Sequence, residues 1–147
     1  MLITCPNILD AADLARLEPL IAALNWDEGE RTAGAVAAQV KRNWQADLTA
    51  GVGAKTDTIL RDKLVRHPVI QNAALPLRWS KRMLSKTEVG GGYGLHTDNP
   101  FMRCEAGQPM RTDLSFTLFL TAPDTYAGGE LIIEHAGMTH SLKPAAM

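Results

Sequence analysis

His96 and Asp98 are the residues of this chain whose types and spacing point most directly to chemistry. In an extended strand, residues i and i+2 share a face, so this imidazole and this carboxylate can converge on one ion. A neutral nitrogen donor beside a hard anionic oxygen suits Fe(II) better than a structural zinc site, which would favour thiolates. A second histidine from elsewhere would complete a facial triad and leave three adjacent positions for a bidentate 2-oxo acid and O₂. His-x-Asp is a short pattern, however. A His and an Asp standing in solvent at a strand end is the plainer reading of the tripeptide alone.

The pair needs elements to position it, and the sequence around it is rich in signals. Gly90-Gly91-Gly92-Tyr93-Gly94-Leu95 precedes it, and glycines this dense allow tight turns and close backbone approach. Asn99-Pro100 follows and should end any pairing, because proline has no ladder donor. Leu77 to Leu84 is predicted as a strand. Leu114, Phe116, Leu118 and Leu120 alternate with Ser115, Thr117, Phe119 and Thr121, the best period-two signal in the chain. A turn-rich loop over Pro123 to Gly129 then leads to a strand from Glu130 to Glu134, a turn at Ala136-Gly137 and a strand over Met138 to Lys143.

Upstream of Pro76 the periodicity is helical. Asp10 is a good N-cap, and Leu14, Leu17, Ile21 and Leu24 recur behind it, with Pro19 expected to kink or restart the helix. Arg31 to Trp44 is a candidate strand. Thr56 to Arg66 reads as a second helix, and Pro68 limits it or opens a short new one through Ala74.

Composition sets the frame. A chain of 147 residues is one domain's worth, and 46% apolar with 21% charged residues is ordinary for a globular protein. A formal net charge of −1 gives no long-range attraction to nucleic acid or anionic membrane, so neither is expected as a partner. No apolar run approaches a membrane span, and Met1 to Pro6 shows no basic region followed by an apolar stretch. Cys5 and Cys104 match no metal or redox spacing, and a cytoplasmic location is the expectation.

Three blocks in order give the chain a family likeness: Gly92-Tyr93-Gly94-Leu95-His96-Thr97-Asp98-Asn99-Pro100, Arg111-Thr112-Asp113-Leu114-Ser115-Phe116-Thr117-Leu118-Phe119-Leu120, and Tyr126-Ala127-Gly128-Gly129-Glu130-Leu131. Lys41-Arg42-Asn43 and Ala73-Ala74-Leu75-Pro76 add softer matches. From about Leu2 onward the chain resembles the bacterial PKHD-type hydroxylases, relatives of the prolyl and lysyl hydroxylases. The resemblance implies an α+β, mainly β fold: a double-stranded β-helix, or jelly roll, with N-terminal helices packed outside it. One domain would cover 1–147, with helical support over about 1–76 and barrel strands over about 77–147.

The resemblance also implies that His96 and Asp98 are two of three Fe(II) ligands, with 2-oxoglutarate as cosubstrate and L-ascorbate as a further requirement. Tyr93, three residues before His96, can line the mouth of the site and meet substrate; packing against the glycine turn is its other reading. In a barrel with a wet lumen, Ser115 and Thr117 belong on the inner face, which makes Thr117 a candidate for cosubstrate binding. Arg111 and Asp113 are expected to pair with each other. Thr87 stands where relatives usually carry a tyrosine, which alters part of the cosubstrate pocket.

The family's second iron-binding histidine and the arginine that clamps 2-oxoglutarate lie beyond its Leu-x-Pro-Ala segment, here Leu142-Lys143-Pro144-Ala145. His135 and His140 fall in a different hairpin, and no arginine follows Arg111. The expectation is therefore an incomplete jelly roll, inactive by itself, whose exposed strand edges favour a homo-oligomer. The substrate of a complete enzyme would be a small molecule or a protein side chain. A non-catalytic interaction module is the alternative from another class, and a cupin-like metalloenzyme is a third.

Overall fold

The computed structural model describes residues 2–29 and 40–145. The first helix, α1 (Ala11–Ala22), starts where a reciprocal cap forms. The Asp13 N–H donates to Asp10 Oδ1 at 2.8 Å, and the Asp10 N–H donates to Asp13 Oδ2 at 3.1 Å. Asp13 also pairs with Lys63 of the second helix, and that hydrogen bond holds its carboxyl below the usual range. The helix runs through Pro19 without a break, so the expected restart does not occur.

The second helix, α2 (Gly51–Arg66), begins earlier than Thr56, and α3 (Pro68–Ala74) follows as read from Pro68. Glycine is a poor helix former, yet Gly53 lies so close to Asp47 that a Cβ there would sit 1.9 Å from the Asp47 carbonyl oxygen. Tertiary packing therefore overrides local propensity in the first turn of α2. The core lies where α1 and α2 meet: Leu9, Leu17, Ile59, Leu60 and Leu64 are buried together, with Leu118 and Leu120 packed against them. Each such leucine or isoleucine contributes about 1.5–3 kcal/mol when fully buried.

Among the described residues the strands form four small antiparallel sheets. β1 (Trp26–Glu28), β3 (Trp44–Ala46) and β4 (Ser85–Lys86) make a three-stranded sheet in the order β1-β3-β4. β2 (Lys41–Arg42) pairs with β5 (Gly92–Tyr93), and β6 (Phe101–Arg103) pairs with β7 (Pro109–Arg111). β8 (Leu131–His135) and β9 (Met138–Leu142) form a hairpin around Ala136 and Gly137, both at positive φ. The class is α+β, as read.

Two strand expectations differ from the structure. Leu114 to Leu120 lies in no ladder among the described residues. Its alternation reports which side chains seek burial, and Leu118 and Leu120 do reach the core, but period two does not itself supply a pairing neighbour. Leu114 and Phe116 remain exposed, with Phe116 set edge-on to Trp79 at 5.8 Å. Over Leu77 to Leu84 the pairing is a bridge between Ser80 and Cys104, with single backbone bonds from the Glu105 N–H to the Trp79 carbonyl and from the Ala46 N–H to the Leu84 carbonyl. Of the Arg31 to Trp44 candidate, residues up to 39 lie outside the described residues, while Lys41–Arg42 and Trp44 do fall in strands.

A chain of ion pairs ties the helical half to the strands. Arg82, 10% exposed at its side chain, meets Asp57 of α2 through Nε at 2.6 Å and a terminal nitrogen at 2.8 Å. Its other terminal nitrogen reaches Glu105, between β6 and β7, at 2.5 Å. Arg61 of α2 meets the same Glu105 from Nε at 3.0 Å. Burial alone would raise the Glu105 carboxyl, but hydrogen bonds from Arg61 and Arg82 outweigh it and hold the group below its ordinary value.

Candidate functional site

The segment bearing His96 and Asp98 hangs from the short β2–β5 ladder. Lys41 faces Tyr93 and Arg42 faces Gly92, and the Gly94 N–H extends the pairing to the Val40 carbonyl at 2.9 Å. Gly91 makes this ladder possible. A Cβ there would lie 2.6 Å from the Arg42 carbonyl oxygen and 3.0 Å from that of Glu88. Beyond the pair, Thr112 closes the far end: its hydroxyl donates to the Asn99 carbonyl at 2.8 Å and its N–H to Pro100 at 2.9 Å. The stretch is thus clamped at both ends, although His96, Thr97 and Asp98 lie in no strand themselves.

Within the clamp the two side chains do converge. His96 Nε2 stands 3.4 Å from Asp98 Oδ1. On the other side of the ring, His96 Nδ1 lies 2.7 Å from the Gly94 carbonyl oxygen. A carbonyl can only accept, so in this hydrogen bond Nδ1 is the donor, and Nε2 is the ring nitrogen turned toward Asp98. The Tyr93 ring stacks on the imidazole, centroids 3.7 Å apart and 18° between planes. The Lys41 ammonium lies over the Tyr93 ring, 5.5 Å from its centroid.

The electrostatics follow from this packing. Burial, and then the nearby Asp98 carboxylate, raise the Tyr93 phenol above its ordinary value, so it stays neutral at physiological pH. Burial lowers the Lys41 ammonium from its ordinary value. A groove of ≈ 280 Å³ lined by Val40, Arg42 and Gly90 to Gly94 opens along the ladder.

His96, Asp98 and Tyr93 are therefore brought together. Thr117 is exposed in the unladdered run, and no hydrogen bond or ring contact ties it to them. Arg111 and Asp113 pair with each other at 3.0 Å, as read from the sequence. His135 and His140 lie on the β8–β9 hairpin, opposite Met138 and Ile133. Among the described residues, no three His, Cys, Asp or Glu side chains are grouped to hold a metal ion. Lys41 and the Gly94 carbonyl are the parts of the site that residue types did not announce, because neither is a ligand and neither has a spacing signature.

No protein-family model matches the chain. Whole proteins do. A PKHD-type hydroxylase of Hyphomonas neptunium is 44% identical over 142 residues, covering 97% of this chain and 63% of that protein. A PKHD-type hydroxylase of Stenotrophomonas maltophilia is 38% identical over 143 residues, and one of Shewanella sp. (strain ANA-3) is 37% identical over 146. Over nearly its whole length the chain is similar to proteins named PKHD-type hydroxylases. It spans 63–65% of the length of these relatives, just under two thirds. No helix among the described residues is long and apolar enough to cross a membrane.

Proposed function

We propose that the chain carries the metal-binding portion of an Fe(II)- and 2-oxoglutarate-dependent dioxygenase, supported by L-ascorbate, that hydroxylates a small molecule or a protein side chain. The observation that carries this reading is the approach of His96 Nε2 and Asp98 Oδ1 to 3.4 Å, with Nδ1 committed to the Gly94 carbonyl. One nitrogen donor and one anionic oxygen that converge to 3.4 Å are donor types that suit Fe(II).

His96 and Asp98 would hold the metal, which when bound would supply, together with the 2-oxo acid, the oxidising power for C–H hydroxylation. The Gly94 carbonyl, 2.7 Å from Nδ1, would orient the ring with Nε2 toward the metal, the usual task of such a partner. A third ligand and an arginine for the cosubstrate would come from outside the described residues, and the small sheets would belong to a jelly roll. Thr117 is assigned to the cosubstrate side of that barrel. Free Cys5 and Cys104 agree with a reducing, cytoplasmic setting.

Anaerobic Fe(II) titration tests the reading. His96→Ala and Asp98→Ala should each weaken Fe(II) binding by at least about tenfold, because each removes one of few protein donors. Unchanged affinity in both variants would refute the facial-triad assignment. A second reading, a non-catalytic interaction module, is favoured by exposed Leu114 and Phe116 in an unladdered alternating run. Such an edge would pair with a second copy of the chain, and sedimentation showing a dimer insensitive to Fe(II) and to both substitutions would select it.

A further inference from the structure

We infer that Tyr93 is a positioning residue for His96, acting through its ring and not its hydroxyl. The inference rests on the metal-binding reading above and names a part of the same site. A histidine whose only anchor is one hydrogen bond can still swing about that bond and turn Nε2 away from Asp98. The Gly94 contact at 2.7 Å fixes one edge of the imidazole. The Tyr93 ring, 3.7 Å away and within 18° of parallel, fixes its plane. An edge and a plane together leave the ring one orientation, and in it Nε2 faces Asp98 at 3.4 Å.

Tyr93 can do this because it is itself held. Its backbone is paired to Lys41 in the β2–β5 ladder, and the Lys41 ammonium lies over its ring at 5.5 Å. Gly94, directly after Tyr93, gives the carbonyl that binds His96 while its own N–H is taken by Val40 at 2.9 Å. Plane and edge are therefore set by consecutive residues of one anchored segment. No hydrogen bond from the Tyr93 hydroxyl is needed for the device, so phenylalanine should serve as well.

The test begins without metal. Long-range ¹H–¹⁵N correlation of the chain reads the tautomer of each of its four histidines, with His96→Gln identifying the signal. In the unaltered chain His96 should carry its proton on Nδ1, and its ring protons should be shifted upfield by the stacked tyrosine, with cross-relaxation to the Tyr93 ring. Tyr93→Phe should keep the tautomer and the upfield shift. Tyr93→Leu should give a mixture of tautomers while His67, His135 and His140 keep their shifts.

Anaerobic Fe(II) titration then reads the consequence: Tyr93→Phe within about twofold of the unaltered chain, Tyr93→Leu about tenfold weaker. A Tyr93→Leu chain with the original tautomer and affinity would overturn the inference. So would an unaltered chain lacking the ring-current shift, a measurement that stands even if the leucine variant does not fold. If tautomer and stack are as stated but His96→Ala leaves Fe(II) affinity unchanged, the metal reading fails and the stack survives as a structural contact only.

Discussion

Replacing Arg82 with methionine, which keeps length and removes charge, isolates the ion-pair chain that joins α2 to the strands. Arg82 is 10% exposed and donates twice to Asp57 and once to Glu105. Without it, Asp57 loses both of these hydrogen bonds and Glu105 keeps only its contacts to Arg61. Removing one member of a fully buried pair costs about 3–5 kcal/mol. Asp57 and Glu105 are 25% and 30% exposed and can partly rehydrate, which brings the expected loss to about 2–3 kcal/mol. With a urea m-value of about 1.5 kcal/mol/M, the unfolding midpoint at pH 7 should fall by about 1.5 M.

The pH dependence checks the cause. Glu105 is held below its ordinary value in the folded chain, so its contribution is present above the unfolded value, about 4.3, and is lost as pH falls through the lower folded value. The deficit of Arg82→Met should therefore be largest at pH 7 and shrink as pH falls below about 4, where Glu105 protonates. A deficit equally large at pH 3, or a midpoint shift under about 0.3 M at pH 7, would refute the electrostatic account. In the first case Arg82 would act through packing of its stem. The consequence for the site is direct, because Glu105 anchors the β6–β7 hairpin, which begins at Phe101 just beyond Asp98.

Three further outcomes follow from single positions. Asp10→Ala removes the cap on the Asp13 N–H and should cost about 1 kcal/mol in thermal unfolding. Ala136 holds φ 50° in the two-residue turn of the β8–β9 hairpin, so Ala136→Asn or Ala136→Gly should stabilise the chain by about 0.5–1 kcal/mol, and a loss on calorimetry would count against the turn. Gly91→Ala drives a Cβ to 2.6 Å from the Arg42 carbonyl and should cost about 1–3 kcal/mol, while Gly92→Ala, with nothing within 4 Å, should cost far less. Equal losses on chemical denaturation would show that the β2–β5 ladder yields easily.

The elements that could be read from sequence are those whose signals are local. The Asp10 cap, Pro68 at the start of α3 and Ala136-Gly137 between two alternating runs each fix structure within a few residues. What escaped reading is set by distant partners. β1, β3 and β4 are two or three residues long and come from remote parts of the chain, too short for any period to register. The first turn of α2 contains two glycines that argue against a helix, and only the Asp47 backbone pressed against Gly53 explains it. Leu114 to Leu120 errs the other way. Its alternation is strong, and Leu118 and Leu120 do turn inward, but a ladder requires a neighbour that this run does not find among the described residues.

The site shows the same division at closer range. His-x-Asp spacing brings two donors together if the backbone is an extended strand, yet residues 94–100 lie in no ladder and the donors still meet at 3.4 Å. The shared face must then come from constraints outside the tripeptide. Gly94 supplies one by binding Val40 through its N–H and His96 through its carbonyl, and Tyr93 supplies another by lying flat on the imidazole. Thr112 supplies the third by holding the carbonyls of Asn99 and Pro100. Each comes from one of the blocks that carry the family likeness, which explains why a tripeptide that says little alone becomes specific in company. The flanking glycines, the tyrosine and the Asn-Pro step do physically what a strand would otherwise have done: they restrict the backbone until a histidine and an aspartate two residues apart have one way to face each other.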